Sequence, residues 1–266
     1  MRLRIVHRTV SRFDVPALGL IQSQRLIPQD RPGQRVLSWE VHCTPEPAFG
    51  PDIAEGTGDR RRTAVFAGPL NEVEIVAKGE VETEDRAGVL GEGARAIPRE
   101  AWLVPTPLTE ADEAIRDLSG ALGRRDLDGT HALMNAVSNA VRFEAGRTDP
   151  ATTAADAVAA GAGVCQDHAH VMIAAAQAAG VPARYAVGYL EAGTGAGVSH
   201  AWAELWIDGL GWTGFDAANG CSPDSRYVRL CCGRDAAGAA PIRGAVRGRG
   251  TETLEASVQV VAAQQQ

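Results

Sequence analysis

Lysine is almost missing from this 266-residue chain: Lys78 is the only one, and arginine supplies nearly all of the 26 basic side chains. Against 33 acidic residues this leaves a net charge of −7 and a pI near 5.4. A nucleic-acid-binding face, which needs concentrated cations to displace phosphate counterions, is therefore not expected. The local cluster Arg243, Arg247 and Arg249, in a Gly-rich stretch, reads as a solvated loop rather than a phosphate site. Uncharged apolar runs of about 18 residues are also lacking, so no membrane-spanning helix is expected. Residues 1–10 are basic but lead into Ser11, Arg12, Phe13 and Asp14, without the apolar stretch of about 7 to 15 residues that a signal peptide needs. The cysteines at 43, 165, 221, 231 and 232 form neither an even set nor paired C-x-x-C spacings. A reducing, cytoplasmic setting is the expectation, with no metal and no organic cofactor.

What is present is an ordinary globular composition, 45% apolar and 22% charged. Residues 1–87 read as β-rich, with short β-forming stretches at 3–10, 35–43, 63–66 and 72–82 separated by Pro and Gly. In the last of these, Val73, Ile75 and Ala77 alternate with Glu72, Glu74 and Lys78, the period of a half-buried strand. Residues 88–109 are rich in Gly and Pro and read as a linker. Residues 110–266 read as one core, beginning with helices at 110–122, 129–143 and 154–160. A further helix over 165–179 follows a glycine turn and stops at Gly180-Val181-Pro182. Strands are expected at 183–190, 199–207, 212–216 and 254–261. The fold class is α+β: an N-terminal antiparallel β-sandwich followed by helices packed on an antiparallel sheet.

Three residues carry the chemistry. Cys165 stands at the start of its helix, where unpaired N–H groups and the helix dipole favour negative charge, and the thiolate is the nucleophilic form of cysteine. Its own N–H and neighbouring donors are placed to stabilise an oxyanion. His200 opens the strand at 199–207 and Asp216 closes the next. With a connection of three or five residues centred on Gly209, Asp216 lies opposite Trp202 and shares a face with His200, at the diagonal spacing of about 7 to 8 Å. An even-numbered connection would put them on opposite faces. In this arrangement His200 exchanges protons with Cys165 and the leaving amine, while Asp216 orients the ring.

The stretches Gly163-Val164-Cys165-Gln166-Asp167-His168-Ala169-His170, Gly180-Val181-Pro182-Ala183-Arg184-Tyr185, Ser199-His200-Ala201-Trp202 and Gly211-Trp212 through Phe215-Asp216 resemble the core of bacterial transglutaminase-like cysteine peptidases. Arg4 to His7 and Gln34 to Trp39 resemble the β-rich region that precedes this core in the family, and residues 226–228, 233–235 and 241–244 resemble its C-terminal end. The resemblance implies a papain-like α/β core and thiol-dependent acyl chemistry on amides, with nucleophile, histidine and acid carried by Cys165, His200 and Asp216. It departs from the family pattern at His168, where an aromatic is common, at Ala217 and Ala218, and at Cys231 and Cys232.

Other candidates have plainer interpretations. Asp167, His168, His170 and His200 could evoke a metal site, but histidines at i and i+2 do not face one another on a helix. His170 reads as a core histidine, and Cys231 and Cys232 as packing residues. Gln166 is a candidate oxyanion donor or simply exposed. Trp202 is a candidate cleft residue or core, and residues 193–197 a rim over the site or an ordinary connection. Three functions remain open: hydrolysis of a peptide or isopeptide bond through an acyl-thioester, acyl transfer to an amine, and a catalytically silent binding module. The expected partner is a peptide or protein substrate.

Overall fold

The computed structural model describes residues 1–93, 97–193 and 197–263. The chain begins with β1 (Arg2–Gln24), β2 (Gln34–Thr44), the two-residue β3 (Ala48–Phe49) and β4 (Ile53–Ala54), and β5 (Arg60–Thr83). After β6 (Val89–Gly91) come α1 (Glu113–Ser119), α2 (Leu127–Ala140), the short β7 (Arg142–Phe143), α3 (Ala154–Ala160), β8 (Ala162–Gly163) and α4 (Cys165–Ala178). Strands β9 (Ala183–Leu190), β10 (Val198–Ile207), β11 (Gly211–Phe215), β12 (Tyr227–Gly233), β13 (Ile242–Arg247) and β14 (Glu252–Ala262) follow.

The N-terminal region is built on one long antiparallel ribbon. β1 and β5 pair from Arg2↔Glu82 to Gln24↔Arg62, with register shifts between Arg12 and Gly19. Alternation in β5 holds: Val73, Ile75 and Ala77 are buried while Glu72 and Lys78 are exposed. Pro16 and Gly19 in β1, and Gly68 and Pro69 in β5, sit at the irregularity, so the strands bend there instead of ending. Short strands at 3–10 and 63–66 are the sequence expectation; a bulge bends a strand without terminating its pairing. Leu20 and Phe66 from one side of the bend share a core with Val73 and Ile75 from the other. The layers of this β-rich region are two halves of one sheet wrapped over itself.

The end of the chain returns to that sheet. β14 pairs with the first half of β1, from Leu3↔Ala262 to Phe13↔Glu252, and β13 with the second half, from Gly19↔Arg247 to Gln24↔Ile242. The sequence division groups residues 110–266 together and makes Arg243 and Arg247 part of a loop; both arginines lie in a paired strand. Alternation shows that 254–261 is a strand but not which strand it pairs with, because that pairing joins opposite ends of the chain. The linker expected at 88–109 is likewise partly structured. β6 pairs with β11, and a 3-10 turn at Arg99–Leu103 buries Trp102 edge-on to Trp212.

The core sheet has the order β12-β9-β10-β11-β6 with antiparallel pairing throughout. Helix α4 packs on β9 and β10 through Val171, Met172, Ile173 and three alanines, 174–176, all buried. Leu3, Ile5, Val81 and Val260 of the N-terminal sheet pack against Tyr189, Val228 and Leu230 of the core sheet. The two sheets thus share an apolar interface, the driving force for their docking.

Two buried histidines set an acid limit on stability. His7, hydrogen-bonded to the Tyr189 hydroxyl at 3.0 Å, and His170 on α4 both have pKa values lowered by burial from 6.5 to about 4. Unfolding restores their proton affinity, so stability falls as pH drops from about 6.5 through 4. Calorimetry across that window is expected to show a declining Tm, with a shallower slope in His7→Gln.

Candidate active site

The site is assembled where α4 begins. Gly161, left-handed at φ 60°, ends α3, and β8 pairs with β7 just before Cys165. At Gly163 a Cβ would sit 2.6 Å from the Asp167 carboxylate, so no side chain fits there. Asp167 Oδ2 accepts the Val164 N–H and the Thr148 hydroxyl, both at 2.7 Å, which ties the loop to the helix start. The N–H groups of Asp167 and His168 bond to the Val164 carbonyl. Those of Cys165 and Gln166 have no acceptor among the described residues, as expected for a first turn. Cys165 itself is half-buried.

β10 and β11 are joined by three residues, 208–210, with Ile207 paired to Gly211 and Ala203 to Phe215. This odd-numbered connection sets Asp216 opposite Trp202 and on the face of His200. The His200 Nε2 lies 2.6 Å from Asp216 Oδ2, which leaves Nδ1 for Cys165. Burial by itself would lower the His200 pKa. Hydrogen bonding to Asp216 first and to Cys165 second outweighs it and raises the value to about 9.

Asp216 is saturated with donors. Its Oδ2 also accepts from Asn219 Nδ2 and the Tyr227 hydroxyl, each at 2.7 Å, and its Oδ1 accepts the Ala218 and Asn219 N–H groups at 3.1 and 3.2 Å. Burial pushes its pKa up, but these bonds, led by His200, hold it below the usual carboxylate range. Asn219 and Tyr227 are positioning residues that sequence reasoning missed. Asn219 carried a signal, three residues after an aspartate at a strand end, the spacing of a local turn. Tyr227 opens β12, a strand not recognised in the sequence.

Cys165, Gln166, Ser199, His200 and Tyr185 line one cleft of about 480 Å³. Its facing wall is the segment between β12 and β13: Ala236, Ala237, Ala239, Ala240 and Pro241. That wall is held from both sheets. His170 Nε2 accepts the Ala236 N–H at 3.0 Å, Asp235 Oδ1 accepts the Gly238 N–H at 2.6 Å, and Arg25 Nη1 donates to the Gly238 carbonyl at 3.0 Å. Arg25 is itself gripped by Glu55 through bonds of 2.6 and 3.0 Å.

The remaining sequence candidates sort clearly. Gln166 lies on the cleft, whereas Trp202 is buried behind His200, stacked on its ring at 6.4 Å, and is not part of the lining. His168 is not a cleft wall either: its ring nitrogens lie 2.8 and 2.7 Å from the Val164 and Val141 carbonyls, bracing α4 against the end of α2. His168 and His170 therefore engage separate main-chain groups and do not converge with His200. Cys231 and Cys232 are buried, both free. Of the rim at 193–197, residues 194–196 lie outside the described residues, as does the 264–266 tail.

A helix-borne cysteine beside a histidine on β10 and an aspartate just past the end of β11, on an α+β frame with an antiparallel sheet, is the arrangement of a transglutaminase-like core. Residues 116–217 match the Transglutaminase-like superfamily and residues 3–82 the Bacterial transglutaminase-like N-terminal region; the chain belongs to this superfamily and carries its bacterial N-terminal region. It is 29% identical over 285 residues to an uncharacterized protein of Mycobacterium leprae, covering 97% of this chain and 98% of the relative. It is 26% identical over 290 residues to an uncharacterized protein of Mycobacterium tuberculosis, covering 98% and 92%. Among solved structures, a candidate cysteine protease from Cytophaga hutchinsonii superposes with a TM-score of 0.77 at 22% identity, covering all of this chain and 92% of that one, a likeness of fold.

Tyr227→Phe removes one donor from a buried carboxylate. A hydrogen bond to a charged group contributes about 1.5–3 kcal/mol, so urea unfolding is expected to show a loss of that order.

Proposed function

We propose that the chain hydrolyses an amide bond of a peptide or protein substrate through an acyl-thioester on Cys165. The observation that carries this is the 2.6 Å contact between His200 Nε2 and Asp216 Oδ2, which turns Nδ1 to the thiol and favours the imidazolium at neutral pH. Cys165 gives its proton to His200, and the sulfur attacks the carbonyl carbon. When the tetrahedral adduct collapses, the C–N bond breaks and His200 protonates the departing amine. Neutral His200 then takes a proton from water as the water oxygen attacks the thioester. The C–S bond breaks and the acid leaves. Asp216 keeps the ring oriented throughout. Cys165 is partly exposed, so water can reach the thioester.

The cleft also restricts the acyl group. Apart from the Cys165–His200 pair, its lining side chains are uncharged, and one wall is alanine and proline. A charged group placed against it would be desolvated without a partner, so the substrate presents an uncharged residue there. All five cysteines are free, which suits the reducing cytoplasm; cell fractionation is expected to recover the protein in that compartment.

The direct test is iodoacetamide labelling of Cys165 as a function of pH, located by mass spectrometry, in the wild type and His200→Ala. Fast labelling near neutral pH, slowed at least tenfold in the variant, is expected; labelling at the rate of a free thiol in both would make the chain a binding module. Against a peptide-amide library, kcat/KM is expected to fall as pH rises through about 9, when His200 loses the proton the amine needs. Asp, Glu or Lys at the acyl position should react at least tenfold more slowly than neutral residues. With an added primary amine the free acid should remain the product; an amine-coupled product would assign acyl transfer instead.

A further inference from the structure

The chain has three tyrosines, and two of their hydroxyls have clear partners: Tyr189 bonds to His7 and Tyr227 to Asp216. Tyr185 differs. It lies on β9, 4% exposed, between Ala203 and Gly233 on the neighbouring strands, and lines the cleft together with Cys165. No group among the described residues bonds to its hydroxyl. Yet that oxygen is not one of the fully enclosed unpaired atoms, which belong to Arg62, Asp167, His170 and Gln177. A buried residue with an unpartnered but not enclosed hydroxyl, on the wall of a cleft, directs that hydroxyl into the cleft. Leaving such a group without a partner is costly unless a ligand completes it.

We propose that Tyr185 supplies the side-chain donor of the oxyanion hole, its O–H acting with the free N–H groups of Cys165 and Gln166 on the carbonyl oxygen of the substrate. The side chain of Gln166, the candidate from sequence, is not needed for this; its main-chain N–H is. Ring placement is secured by His170, whose imidazole packs on Tyr185 at 5.2 Å while accepting the Ala236 N–H. Burial, and after it the negative charge of the Cys165 thiolate, hold the phenol well above its usual pKa, so it donates and does not ionise. As the sulfur adds, charge passes from the thiolate to the carbonyl oxygen. A neutral donor near both strengthens its bond as the reaction proceeds.

This rests on Cys165 as the nucleophile, and a pair of reagents separates the two claims. With p-nitrophenyl acetate the Cys165 sulfur adds to the ester carbonyl, an oxyanion forms, and p-nitrophenolate leaves as the acetyl-thioester is made. With iodoacetamide the same sulfur displaces iodide, and no oxyanion arises. Tyr185→Phe, which keeps the ring and its packing, is expected to slow acetylation of Cys165 about 10- to 100-fold while alkylation stays within about twofold of the wild type; unchanged alkylation also reports an intact fold and thiol. Tyr185→Gln, restoring a donor, should recover part of the acetylation rate. Equal rates of acetylation in Tyr185→Phe and wild type would overturn the assignment. So would parallel losses in both reactions, which would place the effect on the thiol. A wild type whose Cys165 alkylates no faster than a free thiol would instead remove the nucleophile on which both claims stand.

Discussion

Glu204, fully buried on β10, is the charge around which the two sheets are joined. Its Oε2 accepts from Arg184 Nε on β9 at 2.6 Å and its Oε1 from Arg229 Nε on β12 at 2.6 Å. Burial would raise its pKa; the two arginines, Arg229 foremost, lower it to about 2. Arg229 extends the chain of charge to Asp59 at 3.1 Å, and Asp59 in turn accepts from Arg31 at 3.3 Å and from the Cys232 N–H at 3.0 Å. Gln34 closes the junction, exchanging bonds with the Arg229 main chain at 2.8 and 3.0 Å. An isolated carboxylate at this depth would be strongly unfavourable, and removing one member of such a set leaves the others desolvated. The cluster therefore ties β9, β10 and β12 to one another and to the N-terminal sheet.

The position of that cluster matters for the site. Glu204 follows His200 by four residues on the same face of β10, and Tyr227 precedes Arg229 by two on β12. The register that satisfies the buried charges is the one that brings Tyr227 to Asp216. The N-terminal region contributes more than support. Through Arg25 and Glu55 it grips Gly238 in the cleft wall, and through β13 it anchors the far end of that wall. The bacterial N-terminal region thus braces the wall of a cleft that the core lines.

Much of the candidate site was legible because it depends on short-range features. A glycine turn and a Gly-Val-Pro stop bound α4, and α4 begins at Cys165. The three-residue connection at 208–210 decides the face of Asp216, because side chains in a strand alternate with period two. The helices at 110–122 and 129–143 were recognisable by their apolar spacing but are shorter, at Glu113–Ser119 and Leu127–Ala140. Aspartates 112 and 126 cap them by accepting the N–H groups of Ile115 and Gly129, a more local signal than periodicity. β12 was missed because it is buried on both faces and shows no alternation.

By itself the sequence determined the α+β class, the family, and the order of Cys165, His200 and Asp216 along the chain. Each of these is written in motifs of a few residues or in the period of one element. Only the tertiary structure decided that β13 and β14 close the first sheet, that Asn219 and Tyr227 converge on Asp216, that Trp202 backs His200 without facing the cleft, and that Tyr185 lines the same cleft as Cys165. Those outcomes depend on contacts between strands far apart in the chain. Such contacts are selected by burying apolar surface and pairing buried charge, quantities that no local pattern contains.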